Sequence, residues 1–91
     1  MRMTKEHYAA LDSRVRPFRC AIERHIVNLK ESGGYKCLET RVLMDAFHAS
    51  KIFKDYTYQQ FDYTDEHIRT AMRAIFKDMG IYSQLTEGAT K

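Results

Sequence analysis

The sequence predicts a small all-α domain, a bundle of three or four helices. Apolar residues recur at spacings of three and four in three separate segments, the period of a helix with one buried face. Capping or turn-forming residues bound these segments. The chain has 91 residues, 44% of them hydrophobic and 30% charged, which is typical of one globular domain. We therefore predict a single helical domain over residues 1–81 and a polar, frayed tail over residues 82–91.

The first apolar stripe predicts helix over residues 8–29, with Thr4 as the N-cap. Pro17 lies inside the stripe, where it removes a backbone donor and clashes with the carbonyl four residues earlier. A kinked helix and two helices joined near residues 12–16 both fit, and we favour the break. Because the stripe stays in phase across Pro17, both halves should face one core. Residues 32–34, Ser-Gly-Gly, end this unit. The stripe consists of Tyr8, Leu11, Val15, Phe18, Ile22, Ile26 and Leu29.

The second apolar segment predicts a helix from Leu38 to residues 50–51. It is apolar over much of its circumference, so we expect it at the centre of the bundle. Arg41 and Asp45 are four residues apart on it and can pair. One apolar row consists of Leu38, Val42, Ala46 and Ala49, and Leu43 and Phe47 widen it.

An aromatic connection follows over residues 54–63. Tyr56 and Tyr58 alternate, as do Phe61 and Tyr63, which is the period of extended chain. A short extended pair and an ordered loop both fit. The aromatic rings suit three roles: a base-stacking platform, a tyrosine-rich protein interface, or a loop folded over the core.

The last helix should begin after Thr64 or Asp65, since either residue caps well. Gly80 is placed as its left-handed C-terminal residue, and Ile81 can fold back onto the last turn. The predicted buried stripe consists of Ile68, Ala71, Met72, Ile75, Phe76 and Met79.

The chain is mildly basic, with a formal net charge of +3 and a pI of about 9.0. Part of this charge forms a basic ladder on the last helix, Arg69, Arg73 and Lys77, at the spacing of successive turns. The ladder could bind the phosphates of a nucleic acid. Alternatively it is a solvated helix face, in which Asp65 pairs with Arg69, or Glu66 with Arg69 or Arg73.

A second basic group surrounds Pro17. A chain break there would cluster several arginines at a helix start, where they could bind carboxylate or phosphate. Exposure to solvent is the alternative. The group consists of Arg14, Arg16, Arg19 and Arg24.

The sequence has no catalytic signature. Two cysteines and four histidines invite a zinc hypothesis, but the spacings of Cys20 from His25 and of Cys37 from His48 fit no common site. His67 and its acidic neighbours point in different directions from a helix, so they form no shared acid–base site. We predict a protein that is not an enzyme and has no metal or cofactor.

The chain has no apolar run near the roughly 18 residues that span a membrane, and its opening is polar, like a helix start rather than a leader. Two cysteines in a chain that can fold without disulfides suggest free thiols in a reducing compartment. We therefore expect a cytoplasmic protein.

Two segments carry a family resemblance: residues 39–50, ETRVLMDAFHAS, and residues 63–75, YTDEHIRTAMRAI. With the opening MTKEHY at residues 3–8 and Pro17, they resemble a group of small uncharacterised proteins of tailed bacteriophages and prophages. That group shares an Arg-x-x-x-Asp helix, a Tyr/Leu-rich linker and a D-x-H-I-x-T-A-L-R-x-I helix. Here Met72 stands in place of the Leu.

The resemblance implies a phage accessory protein in a bacterial host cell. Its pattern also implies structural roles. Arg41 and Asp45 would lock the middle helix or dock the last one. Asp65 and His67 would fix the start of the last helix, with His67 reaching back to the connection.

These observations favour a non-enzymatic phage accessory protein, active in host takeover or as an inhibitor of host defence. It would bind a host or phage protein through Tyr56, Tyr58, Tyr63, Arg69, Arg73 and Lys77. The alternative is a nucleic-acid-binding module that uses Arg14, Arg16, Arg19, Arg24, Arg69, Arg73 and Lys77. A homo-oligomeric structural protein is a third hypothesis, since small cores often gain burial from a symmetric partner.

Overall fold

A computed structural model describes residues 3–53 and 62–86, and it confirms the all-α class. No strand occurs in those residues. The extended pair predicted for the connection falls mainly on residues 54–61, which lie outside the described residues. The helices, in chain order, are α1 (Lys5–Val15), α2 (Arg19–Ser32), α3 (Leu38–Ser50), α4 (Asp65–Met79) and the single-turn α5 (Ser83–Thr86).

The break predicted near residues 12–16 occurs slightly later, as a short 3₁₀ turn, Arg16–Phe18, between α1 and α2. Thr4 caps α1, since its hydroxyl accepts a hydrogen bond from the His7 backbone N–H at 3.2 Å. Pro17 is tolerated at the start of the turn, where its missing N–H has no intrahelical partner to lose. Gly33, with a φ of 69°, ends α2 as predicted.

The prediction that Phe18 continues the buried stripe is wrong. Its side chain is 59% exposed, whereas Leu11, Val15 and Ile22 on either side of the turn are buried. Phe18 is the last residue of the 3₁₀ turn and the N-cap of α2, and its backbone, with a φ of −97° and a ψ of 20°, departs from the helical conformation of its neighbours. The regular helical phase that the stripe assumes is therefore interrupted at Phe18.

Helix α3 lies at the centre of the bundle, as predicted, and packs against α1, α2, α4 and α5. Its buried apolar side chains are Leu38, Val42, Leu43 and Phe47. The predicted row was too wide, because Ala46 is half-buried and Ala49 is exposed on the flank facing α2. The helix ends at Ser50, and Lys51 follows in the left-handed conformation.

Helix α4 ends in a Schellman motif, as predicted. Gly80 has a φ of 79° and donates its N–H to the Lys77 carbonyl at 3.1 Å. The Ile81 N–H donates to the Phe76 carbonyl at 3.1 Å, and the Ile81 side chain is fully buried. The motif therefore turns the chain back onto the core.

The domain continues past the boundary that we predicted at residue 81. Leu85 lies four residues after Ile81 on α5 and is 1% exposed. Gln84 Nε2 donates to Glu23 Oε2 at 2.8 Å, which ties α5 to α2. One well-placed leucine thus folds a largely polar segment against the bundle through residue 86. Residues 87–91 of the predicted tail lie outside the described residues.

Candidate functional site

A groove lies between α2 and α3 and is here called the α2–α3 groove. It encloses about 420 Å³, within the range of ligand-sized clefts. A smaller cleft that includes Arg14 and Ser50 continues it past Phe18. The lining residues are Phe18, Ala21, Ile22, His25, Val42, Asp45, Ala46, His48 and Ala49.

Alanines create this groove. Ala21 on α2 faces Ala46 and Ala49 on α3, so neither helix fills the space between their backbones. Ile22 and Val42 form an apolar floor, and the exposed Phe18 ring forms one wall. The groove therefore offers apolar contact area without any change in the fold.

A polar network closes the other end of the groove. Asp45 accepts hydrogen bonds from Arg41 Nε at 2.9 Å and His25 Nε2 at 2.8 Å. Burial acts to raise the pKa of Asp45, but these hydrogen bonds outweigh it and hold the pKa below its ordinary value. The predicted Arg41–Asp45 pair is confirmed, and through His25 it docks α3 onto α2 rather than onto α4.

The basic ladder is largely paired. Arg69 Nη2 lies 2.7 Å from Glu66 Oε2, one of the predicted pairs. Arg73 donates to both Glu39 carboxylate oxygens, at 2.9 and 3.3 Å, and this pairing holds the pKa of Glu39 below its ordinary value. Lys77 Nζ lies 5.1 Å from the centroid of the Tyr82 ring. Two of the three ladder cations, Arg69 and Arg73, are therefore already paired with carboxylates.

The arginines around Pro17 do not form one cationic cluster. Arg14 donates to the Ser50 carbonyl at 3.2 Å, and Arg19 Nε lies 3.4 Å from Glu23 Oε1. Arg16 bridges two carboxylates, Asp12 at 2.9 Å and Asp78 at 2.5 Å. In the part of the chain that the structure describes, Arg24 is the member of this group without a hydrogen bond or ion pair.

Tyr63, which we predicted as a contact residue, is 3% exposed and belongs to the core. Its hydroxyl accepts from the Thr4 backbone N–H at 2.9 Å and lies 2.7 Å from His7 Nδ1. This residue therefore fastens the start of α4 to the start of α1. The other predicted contact tyrosines, Tyr56 and Tyr58, lie outside the described residues.

His67 fixes the start of α4, as the resemblance implies. The Thr64 hydroxyl accepts from the His67 N–H at 3.2 Å, and His67 Nδ1 accepts from the Thr64 N–H at 3.0 Å. This is a capping box in which histidine replaces the usual Glu or Gln. Asp65 is the first residue of α4, where the helix dipole favours its negative charge.

Cys20 and Cys37 are both exposed, free thiols. Hydrogen bonding from Thr40 lowers the pKa of the Cys37 thiol below its ordinary value. Over residues 3–53 and 62–86, no cluster of three or more metal-ligating side chains occurs. No helix within these ranges has both the length and the apolar character needed to cross a bilayer.

Comparison of the chain with protein-family models, curated proteins and solved structures finds no match. The sequence-based prediction missed the groove because it placed Ala46 and Ala49 in a buried row and gave Ala21 no role. The signal that could have found it is the set of small residues on two neighbouring helices that follow Pro17.

Proposed function

We propose that this domain is a non-enzymatic accessory protein of a bacteriophage or prophage that binds a host or phage protein through the α2–α3 groove. In the bacterial cytoplasm it would serve host takeover or inhibit a host defence. The phage context rests on the resemblance of residues 39–50 and 63–75. The observation that carries the binding role is the exposed Phe18 ring beside an open apolar groove.

A partner that covers the exposed Phe18 ring would remove its apolar surface from water. Burying a side chain of this size contributes about 1.5–3 kcal/mol. Aromatic anchors in preformed pockets are typical of the residues that dominate protein interfaces. Phe18 and the groove together supply both parts of such an anchor site.

A binding role suits the groove better than catalysis. His25 and Asp45 form a histidine–carboxylate pair at one end. In the described part of the chain, no serine hydroxyl or cysteine thiol hydrogen-bonds to His25 as an activated nucleophile would. The nucleic-acid alternative has less support, because Arg16, Arg69 and Arg73 already carry carboxylate partners.

Affinity capture tests the proposal. The tagged protein is incubated with nuclease-treated bacterial lysate beside two variants, Phe18→Ser and Val27→Ser. Val27 is the matched control, since it is an exposed apolar residue on the opposite side of α2, 51% exposed. We expect one stoichiometric partner that the parent protein and Val27→Ser retain and Phe18→Ser loses.

Two results would contradict the proposal. One is the absence of any stoichiometric partner in lysates of several bacterial hosts. The other is a partner that Phe18→Ser retains as well as the parent protein does. Capture from a parallel untreated lysate that is absent from the nuclease-treated lysate would instead favour the nucleic-acid alternative, and binding to DNA or RNA should then weaken steeply with salt.

A further inference from the structure

We draw no further inference here: the strongest candidate, the apolar α2–α3 groove beside the exposed Phe18 ring, belongs to the site already described, and nothing in the structure shows what covers it.

Discussion

Helix α4 and the first turn of α2 differ in two respects: whether the helix end is capped, and whether the apolar side chains there are buried. A capping box begins α4, a Schellman motif ends it, and Arg73 on it pairs with α3. At α2 the N-cap residue is Phe18, which makes no side-chain capping bond and exposes its ring. The difference is one of burial and pairing: α4 holds the bundle together, whereas the start of α2 leaves an apolar ring uncovered.

The largest expected effect is on the stability of α4 and the core around it, here called the closed region. Phe76 on α4 is fully buried, so Phe76→Ala should destabilise the domain by about 3–5 kcal/mol through lost burial and the cavity left behind. A small domain has only about 5–15 kcal/mol of stability in total. Urea unfolding measures the loss, with Val27→Ala on the exposed side of α2 as the control. A loss below about 1 kcal/mol would show that the core around α4 is not closed.

The second prediction concerns the far end of the same region. Leu85→Ala should cost about 2–4 kcal/mol, because Leu85 is almost fully buried and holds α5 against the bundle. The neighbouring Thr86→Ala is the control, since Thr86 is exposed. Thermal melts distinguish the two variants. Equal melting temperatures would mean that the domain ends at residue 81 after all.

The third prediction isolates the capping box. Thr64→Ala removes the hydroxyl that accepts the His67 N–H and should cost about 1 kcal/mol. Thr64→Ser keeps an equivalent hydroxyl and should retain most of the stability. Urea unfolding of both variants checks the difference. An equal loss in both would show that the methyl group, rather than the cap, matters.

The fourth prediction is a pH dependence. Pairing with Arg73 depresses the folded pKa of Glu39 below its ordinary value of 4.5. The stability from this pair is therefore fully present above the unfolded pKa and is lost as pH falls through the folded pKa. Glu39→Gln should cost about 1 kcal/mol at pH 7 and progressively less as the pH falls below about 4.

Unfolding free energies at pH 7 and pH 3 measure this trend. Glu66→Gln is the control, because its carboxylate pairs with Arg69 at the surface, where ion pairs contribute little. If Glu39→Gln costs the same at both pH values, the Glu39 carboxylate does not act through its charge.

The closed region could be predicted from sequence because its signals are local. Thr64, Gly80 and Ile81 act on residues within one turn of themselves, so their roles follow from spacing. The four long helices and the break at Pro17 follow from periodicity and one proline.

The start of α2 and the contacts between distant segments could not be predicted in the same way. The orientation of Phe18 depends on whether Pro17 produces a kink or a 3₁₀ turn, and a stripe that keeps its phase in sequence does not reveal that. The partner of Arg73 is Glu39, 34 residues away, and that pairing depends on how α3 and α4 pack. The groove itself is a space between two helices, which appears only once they are packed.

The smallest expected effect on stability is the most informative about the difference between α4 and the start of α2. Phe18→Ser removes a mostly exposed ring and places a good capping residue at the N-cap of α2. The change in the free energy of unfolding should stay within about 1 kcal/mol, and the cap can make it favourable. Urea unfolding beside Phe76→Ala therefore compares two phenylalanines of one domain.

If Phe18→Ser is as costly as Phe76→Ala, Phe18 is part of the core and the α2–α3 groove loses its anchor. If it is neutral or stabilising while partner binding is lost, then the phenylalanine is kept at a cost to stability, which is the expected mark of a binding residue.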